Sequence, residues 1–168
     1  DLPAACILET VQAEGGINPA STIWIQRLAG LCRTYGIMLI VDDIQVGCGR
    51  TGPFFSWEHM DIEPDIVCLS KSIGGSGLPL ALVLIKPRYD VWAPGEHNGT
   101  FRGNNAAFVT SAAAIDHFWR DDELQREVAR KGELVERWLT AIAGAHPAAG
   151  ADVRGRGMVW GLTLADPA

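Results

Sequence analysis

Five consecutive apolar residues, Ile37-Met38-Leu39-Ile40-Val41, lie between Gly36 and the acidic pair Asp42-Asp43. The run is too short for a core helix and carries no polar alternation, so it reads as a strand buried on both faces. Such a strand needs helices packed over a sheet, and the flanking segments supply them. Cys6 to Val11 reads as a preceding strand. Ser21 follows the turn Asn18-Pro19-Ala20 as an N-cap, and Trp24, Leu28, Leu31 and Tyr35, with Ile25 and Cys32 alongside, mark a helix that stops at Gly36. Ile66 to Leu69 and Leu80 to Ile85 are two further strands, separated by the glycine-rich turn at 74–77. Residues 104–119 and 122–143 read as helices. The second has a stripe of Leu124, Val128, Val135, Leu139 and Ile142, interrupted by Lys131, and an i,i+4 pair, Glu133 and Arg137, on its wet side. Val159 to Leu164 reads as a last strand. This alternation predicts an α/β fold with a mainly parallel sheet flanked by helices.

Composition limits the function classes. The 168 residues are 48% hydrophobic with a net charge of −6, an ordinary globular balance without the basic face of a nucleic-acid binder. No apolar run is long enough to span a bilayer. Cys6, Cys32, Cys48 and Cys68 are far apart and the four histidines are scattered, which points away from a zinc site or disulfide scaffold. Buried thiols suit a cytoplasmic protein. The chain starts at Asp1 without an initiator Met and is expected to be an internal piece of a longer protein.

Parallel α/β sheets gather ligands at the carboxyl ends of their strands, and two polar residues stand there. Asp42 follows Ile40-Val41. Lys71, one of three lysines, follows Leu69-Ser70 and precedes the glycine-rich turn. Alone, Asp42 is most simply a loop cap and Lys71 a surface ion-pair partner. Together they suit pyridoxal 5'-phosphate (PLP). An amine can form a Schiff base with its aldehyde, and a carboxylate can keep its pyridine nitrogen protonated.

Four segments extend this reading. Val41-Asp42-Asp43-Ile44-Gln45-Val46-Gly47-Cys48-Gly49-Arg50-Thr51-Gly52, Leu69-Ser70-Lys71-Ser72, the 8–16 segment LETVQAEGG and the 97–105 segment HNGTFRGNN together resemble, in order and over much of the chain, the motifs of class III (fold-type I) PLP-dependent aminotransferases. The resemblance implies that Lys71 is the Schiff-base lysine and proton carrier and that Asp42 pairs with the pyridine nitrogen. It implies that Ile44 packs on the ring, that Gln45 hydrogen-bonds its oxygen, and that Thr100 reaches the phosphate held by a neighbouring subunit, so that the enzyme is at least a homodimer. Glu9 would lie near the substrate, and Glu14 would match a glutamate that pairs with a carboxylate-binding arginine in some members. Thr10, Ala13, Asp43 and Arg102 depart from the usual pattern. The segments at 8–12, 41–52 and 90–105 look most like the branch that passes the amino group of L-glutamate to L-aspartate 4-semialdehyde, giving L-2,4-diaminobutyrate and 2-oxoglutarate, as in ectoine biosynthesis.

By the same resemblance, residues 1–121 form the second half of a large PLP domain, 122–143 a linking helix, and 144–168 the start of a small C-terminal domain. The family's phosphate-cradling loop and substrate arginine are missing from these residues, so the piece alone is expected to be inactive. Rival readings are another ω-aminotransferase, acting on ornithine, 4-aminobutyrate or a siderophore-pathway diaminobutyrate, and an inactive fragment serving as a binding module. The run ending at Asp42-Asp43 also looks like a nucleotide hydrolase's magnesium-binding strand, but no G-x-x-x-x-G-K-[ST] loop accompanies it.

Overall fold

The computed structural model describes residues 1–75, 77–99 and 102–165. Its main sheet has four strands. β1 (Ala5–Leu8) lies beside β4 (Met38–Asp42), which lies beside β5 (Ile66–Leu69), and both pairings are parallel. The edge strand β6 (Leu82–Ile85) pairs antiparallel with β5. The expected alternation and mainly parallel sheet are therefore present. The expected strand over 6–11 is shorter, because Glu9 turns its carboxylate back onto the Ala13 amide at 3.1 Å and ends the extension. Beyond that turn, β2 (Val11–Gln12) makes a small antiparallel pair with β3 (Asn18–Pro19).

α1 (Thr22–Tyr35) begins and ends where its capping residues stand. Ser21 Oγ accepts the Trp24 amide at 3.2 Å, and Gly36 closes the helix at φ 67°. Its buried face is not the expected stripe. Ile25, Ala29 and Cys32 pack on Leu39, Val41, Met60 and Ile62, whereas Trp24, Leu31 and Tyr35 stay more than half exposed. Both stripes have helical spacing, and only the docking of α1 on β4 selects between them. The sheet is likewise covered unequally. Leu39, Val41, Val67 and Leu69 are buried on one face, while Ile40 and Ile66 are half-buried on the other and Ile7 is 61% exposed.

α2 (Asn105–Phe118) starts at Asn104, whose side chain accepts the Ala106 amide at 2.9 Å, and buries Ala107 against Ile73 and Leu80. α3 (Glu123–Ala145) follows. Its ion pairs are Asp122–Arg126, Glu127–Arg130 and Glu127–Lys131. No Glu133–Arg137 pair forms among the described residues, and Ile142 is half exposed. Two strands close the described chain, β7 (Asp152–Arg156) and β8 (Val159–Thr163), joined by a two-residue turn with Gly157 at φ 59°. β7 has a weak sequence signature, since Val153 is the one apolar side chain in Asp-Val-Arg-Gly-Arg. It exists because β8 pairs with it.

α3 meets this hairpin through two glycines. A Cβ on Gly132 would sit 2.5 Å from the Gly157 carbonyl oxygen, a backbone atom with little freedom to retreat. Gly132→Val in the complete protein is expected to cost about 2 kcal/mol or more by overpacking. A drop in the urea midpoint at unchanged slope would show this, and an unchanged midpoint would contradict it.

Candidate active site

The parallel register brings three strand ends together. Leu8 pairs with Val41, and Asp42 pairs with Cys68. Glu9, Asp42 and Lys71 thus follow neighbouring strands at their carboxyl ends. Asp42 ends β4, and its Oδ1 accepts the Ile44 amide at 3.0 Å. Its other carboxylate oxygen takes no hydrogen bond from the described residues. After β5 the chain enters a short 3-10 turn at Lys71–Gly74. Lys71 adopts φ 52° there, a left-handed conformation rare for a side-chain-bearing residue and characteristic of functional sites.

The side chains form a relay. Lys71 Nζ donates to Gln45 Oε1, and Gln45 Nε2 donates to Glu14 Oε1 at 3.2 Å. The structure therefore joins Lys71, Gln45 and Glu14, with Asp42 held on the same turn as Gln45. Ile44 is half-buried on that turn. Glu9 is nearby in the chain, but its carboxylate is engaged by the Ala13 amide. Thr100 lies outside the described residues.

Lys71 and Gln45 line a cavity of about 320 Å³, together with Ile17, Arg50, Ser72, Met158, Val159 and Trp160. The wall at 158–160 comes from the β7–β8 hairpin, which docks on the 47–52 loop. Met158 donates its amide to Arg50 O at 2.9 Å, and a Cβ on Gly157 would meet the Arg50–Thr51 backbone at 2.7 Å. Sequence spacing does not reveal these wall residues, because more than a hundred positions separate them from Gln45. The loop carrying Ile17 is held from the same hairpin, with Arg154 Nε donating to Gly16 O at 2.9 Å.

The residue after Asp42 belongs to a buried polar cluster whose members are far apart in sequence. Asp43 is 1% exposed and accepts both the Ser56 amide, at 3.0 Å, and the Ser56 hydroxyl. Burial pushes its carboxyl above the usual carboxylate range, while the Ser56 bonds and the Arg156 charge oppose the rise. Burial also holds the Cys48 thiol at about 11, assisted by the Asp43 charge, so Cys48 is protonated and a poor nucleophile at neutral pH. All four cysteines are free. Among the described residues no three His, Cys, Asp or Glu side chains are grouped to hold a metal ion, and no helix is long and apolar enough to cross a membrane.

The donor set fits a pyridine cofactor bearing a carbonyl. Among the described residues, Asp42 has a carboxylate oxygen without a partner and the Lys71 amine is held by a neutral amide alone, with open volume beside it.

Comparison with known proteins agrees. Two curated relatives are diaminobutyrate–2-oxoglutarate transaminases, from Virgibacillus pantothenticus (54% identical, 99% of this chain and 40% of the relative) and Nocardia farcinica (61%, 99% and 38%). The chain thus spans about 40% of the length of these relatives. Among solved structures, the ornithine aminotransferase of Toxoplasma gondii superposes with a TM-score of 0.88 at 32% identity, over 96% of this chain and 38% of that one. The family model for class-III aminotransferases matches residues 2–168, so the chain belongs to the class-III aminotransferases, a PLP-dependent family of fold type I.

Proposed function

We propose that this chain supplies the reactive lysine and the ring-nitrogen partner of a transaminase. The complete enzyme moves the amino group of L-glutamate to L-aspartate 4-semialdehyde, forming L-2,4-diaminobutyrate and 2-oxoglutarate. The observation that carries this is the convergence of Asp42, Gln45 and Lys71 at adjacent strand ends, beside a cavity walled by the hairpin. The choice of substrate rests on the names of the two bacterial relatives. The ectoine pathway, a cytoplasmic location and a homodimer in which Thr100 reaches the neighbouring subunit's cofactor phosphate belong to the same proposal. So does the division into large-domain residues 1–121, a linking helix at 122–143 and the start of a small domain at 144–168.

When bound, PLP supplies an electrophilic carbonyl and an electron sink. Asp42 would hold the pyridine nitrogen protonated, and Ile44 would pack on the ring face. Gln45 would fix the ring oxygen and orient the Lys71 amine. Lys71 Nζ would take the proton from the amino-bearing carbon of the substrate, the general-base step that commits it to transfer. Glu14 would orient Gln45 through the bond already present. Glu9 would stand at the substrate's edge of the site.

The test is a donor screen of the complete enzyme with 2-oxoglutarate. Ornithine is one methylene longer than diaminobutyrate, and one methylene is worth roughly 10–200-fold in discrimination. The expected result is kcat/KM for L-2,4-diaminobutyrate above that for ornithine by a factor in this range, and above that for 4-aminobutyrate, which lacks the 2-amino group. A preference for either of the latter would transfer the chain to another ω-aminotransferase branch.

A further inference from the structure

The cluster around Asp43 connects four parts of the fold that bear on the cavity. The Asp43 amide donates to Cys68 O at 2.9 Å, which completes the Asp42–Cys68 rung at the end of the β4–β5 pairing. Its carbonyl accepts the Gly47 amide at 3.1 Å and closes the turn that carries Ile44 and Gln45. Only glycine fits at position 47, because a Cβ there would lie 2.7 Å from both Asp43 O and Oδ2. Asp43 thus directly follows the proposed nitrogen partner and stands two residues before the residue holding Lys71.

Its charge is answered at a distance. The Ser56 hydroxyl donates to Asp43 Oδ1, so its hydrogen is used. The 2.5 Å contact between Thr10 Oγ1 and Ser56 Oγ must then have Thr10 as donor. Arg156 Nη2 donates to Thr10 Oγ1 at 3.0 Å and to Ser56 O at 2.9 Å, and Nη1 meets His59 Nε2 at 3.1 Å. A single-direction chain therefore runs from the Arg156 guanidinium through Thr10 and Ser56 to the Asp43 carboxylate. Thr10 and Ser56 are fully buried. A buried carboxylate without a compensating cation is costly, and the cation here comes from β7. Seating of the hairpin and the shape of the Asp42–Gln45 turn are coupled by this chain.

Resting on the proposed function, we infer that Asp43, linked through Ser56 and Thr10 to Arg156, is a positioning residue for the cofactor site. It sets the height of Asp42 and Gln45 and makes that setting depend on the docked β7–β8 hairpin.

The test compares Asp43→Asn, Arg156→Met and their double variant in the complete protein, with Gly36→Ala as a control that strains the left-handed cap of α1, away from both the hairpin and the chain of hydroxyls. Apo-protein Tm and the PLP dissociation constant of each are measured. The expected result for Asp43→Asn and for Arg156→Met is a loss of PLP affinity of about tenfold or more, because small displacements of positioned groups have large effects. The double variant should lose less than the product of the two, and the control should lower Tm with affinity unchanged. Variants that only lower Tm, as the control does, would overturn the positioning role. If Asp43→Asn does not fold, Ser56→Ala takes its place, with the same expected loss and the same overturning result. Failure of the wild-type protein to load PLP on Lys71 would bring down the proposed function and this role with it. Normal loading of both wild type and Asp43→Asn would bring down this role alone.

Discussion

Replacing Lys71 with alanine in the complete enzyme is expected to reduce transamination by about a thousandfold or more, within the range for losing a positioned proton-transfer group and compounded by loss of the covalent anchor. The variant should still bind PLP, because Asp42 and Gln45 remain, but borohydride reduction should no longer fix the cofactor to the protein. In the wild type, reduction followed by peptide mapping should place the label on Lys71. The alternatives are well defined, since the only other lysines are Lys86 and Lys131. Lys86 is paired with Glu63 and Asp65 at the opposite end of β5, and Lys131 with Glu127 on α3. A label on either would refute the assignment.

The second large effect is expected at Asp42. Its carboxylate stands at the end of β4 with one oxygen bonded to the Ile44 amide and the other without a partner among the described residues. Asp42→Ala removes the anion that would keep the pyridine nitrogen protonated, and with it the electron-accepting power of the ring. Turnover should fall by about a hundredfold or more, the scale for deleting one preorganised electrostatic partner, and PLP should dissociate more readily. Asp42→Asn keeps the shape and the Ile44 bond, so it separates loss of charge from loss of the turn. Turnover unchanged in both variants would remove Asp42 from the site.

These two residues were legible because each follows an apolar run that can only be a buried strand, and the polarity of a parallel sheet then places both at one edge. The motif resemblance added Gln45, and the structure puts its amide between Lys71 and Glu14. The caps of α1 were equally legible, because Ser21 and Gly36 act on their own neighbours. Local chemistry of this kind is encoded within a few residues.

Other features were not legible, for reasons of distance or degeneracy. Two stripes of α1 have equal periodicity, and only packing against Leu39 and Val41 chose Ile25, Ala29 and Cys32. The end of β1 at Leu8 depended on a side chain bonding back to the Ala13 amide. β7 formed only because β8 offered it a partner. The cavity wall and the Arg156-to-Asp43 chain join positions a hundred residues apart, which no spacing rule anticipates. What could be read locally was the alternation of the main strands and helices, the caps of α1 and the standing of Asp42 and Lys71 at strand ends. Tertiary structure alone decided which helix face is buried, what walls the cavity and how the buried Asp43 is neutralised. Those outcomes depend on packing and on desolvated charge, which arise only when distant segments meet.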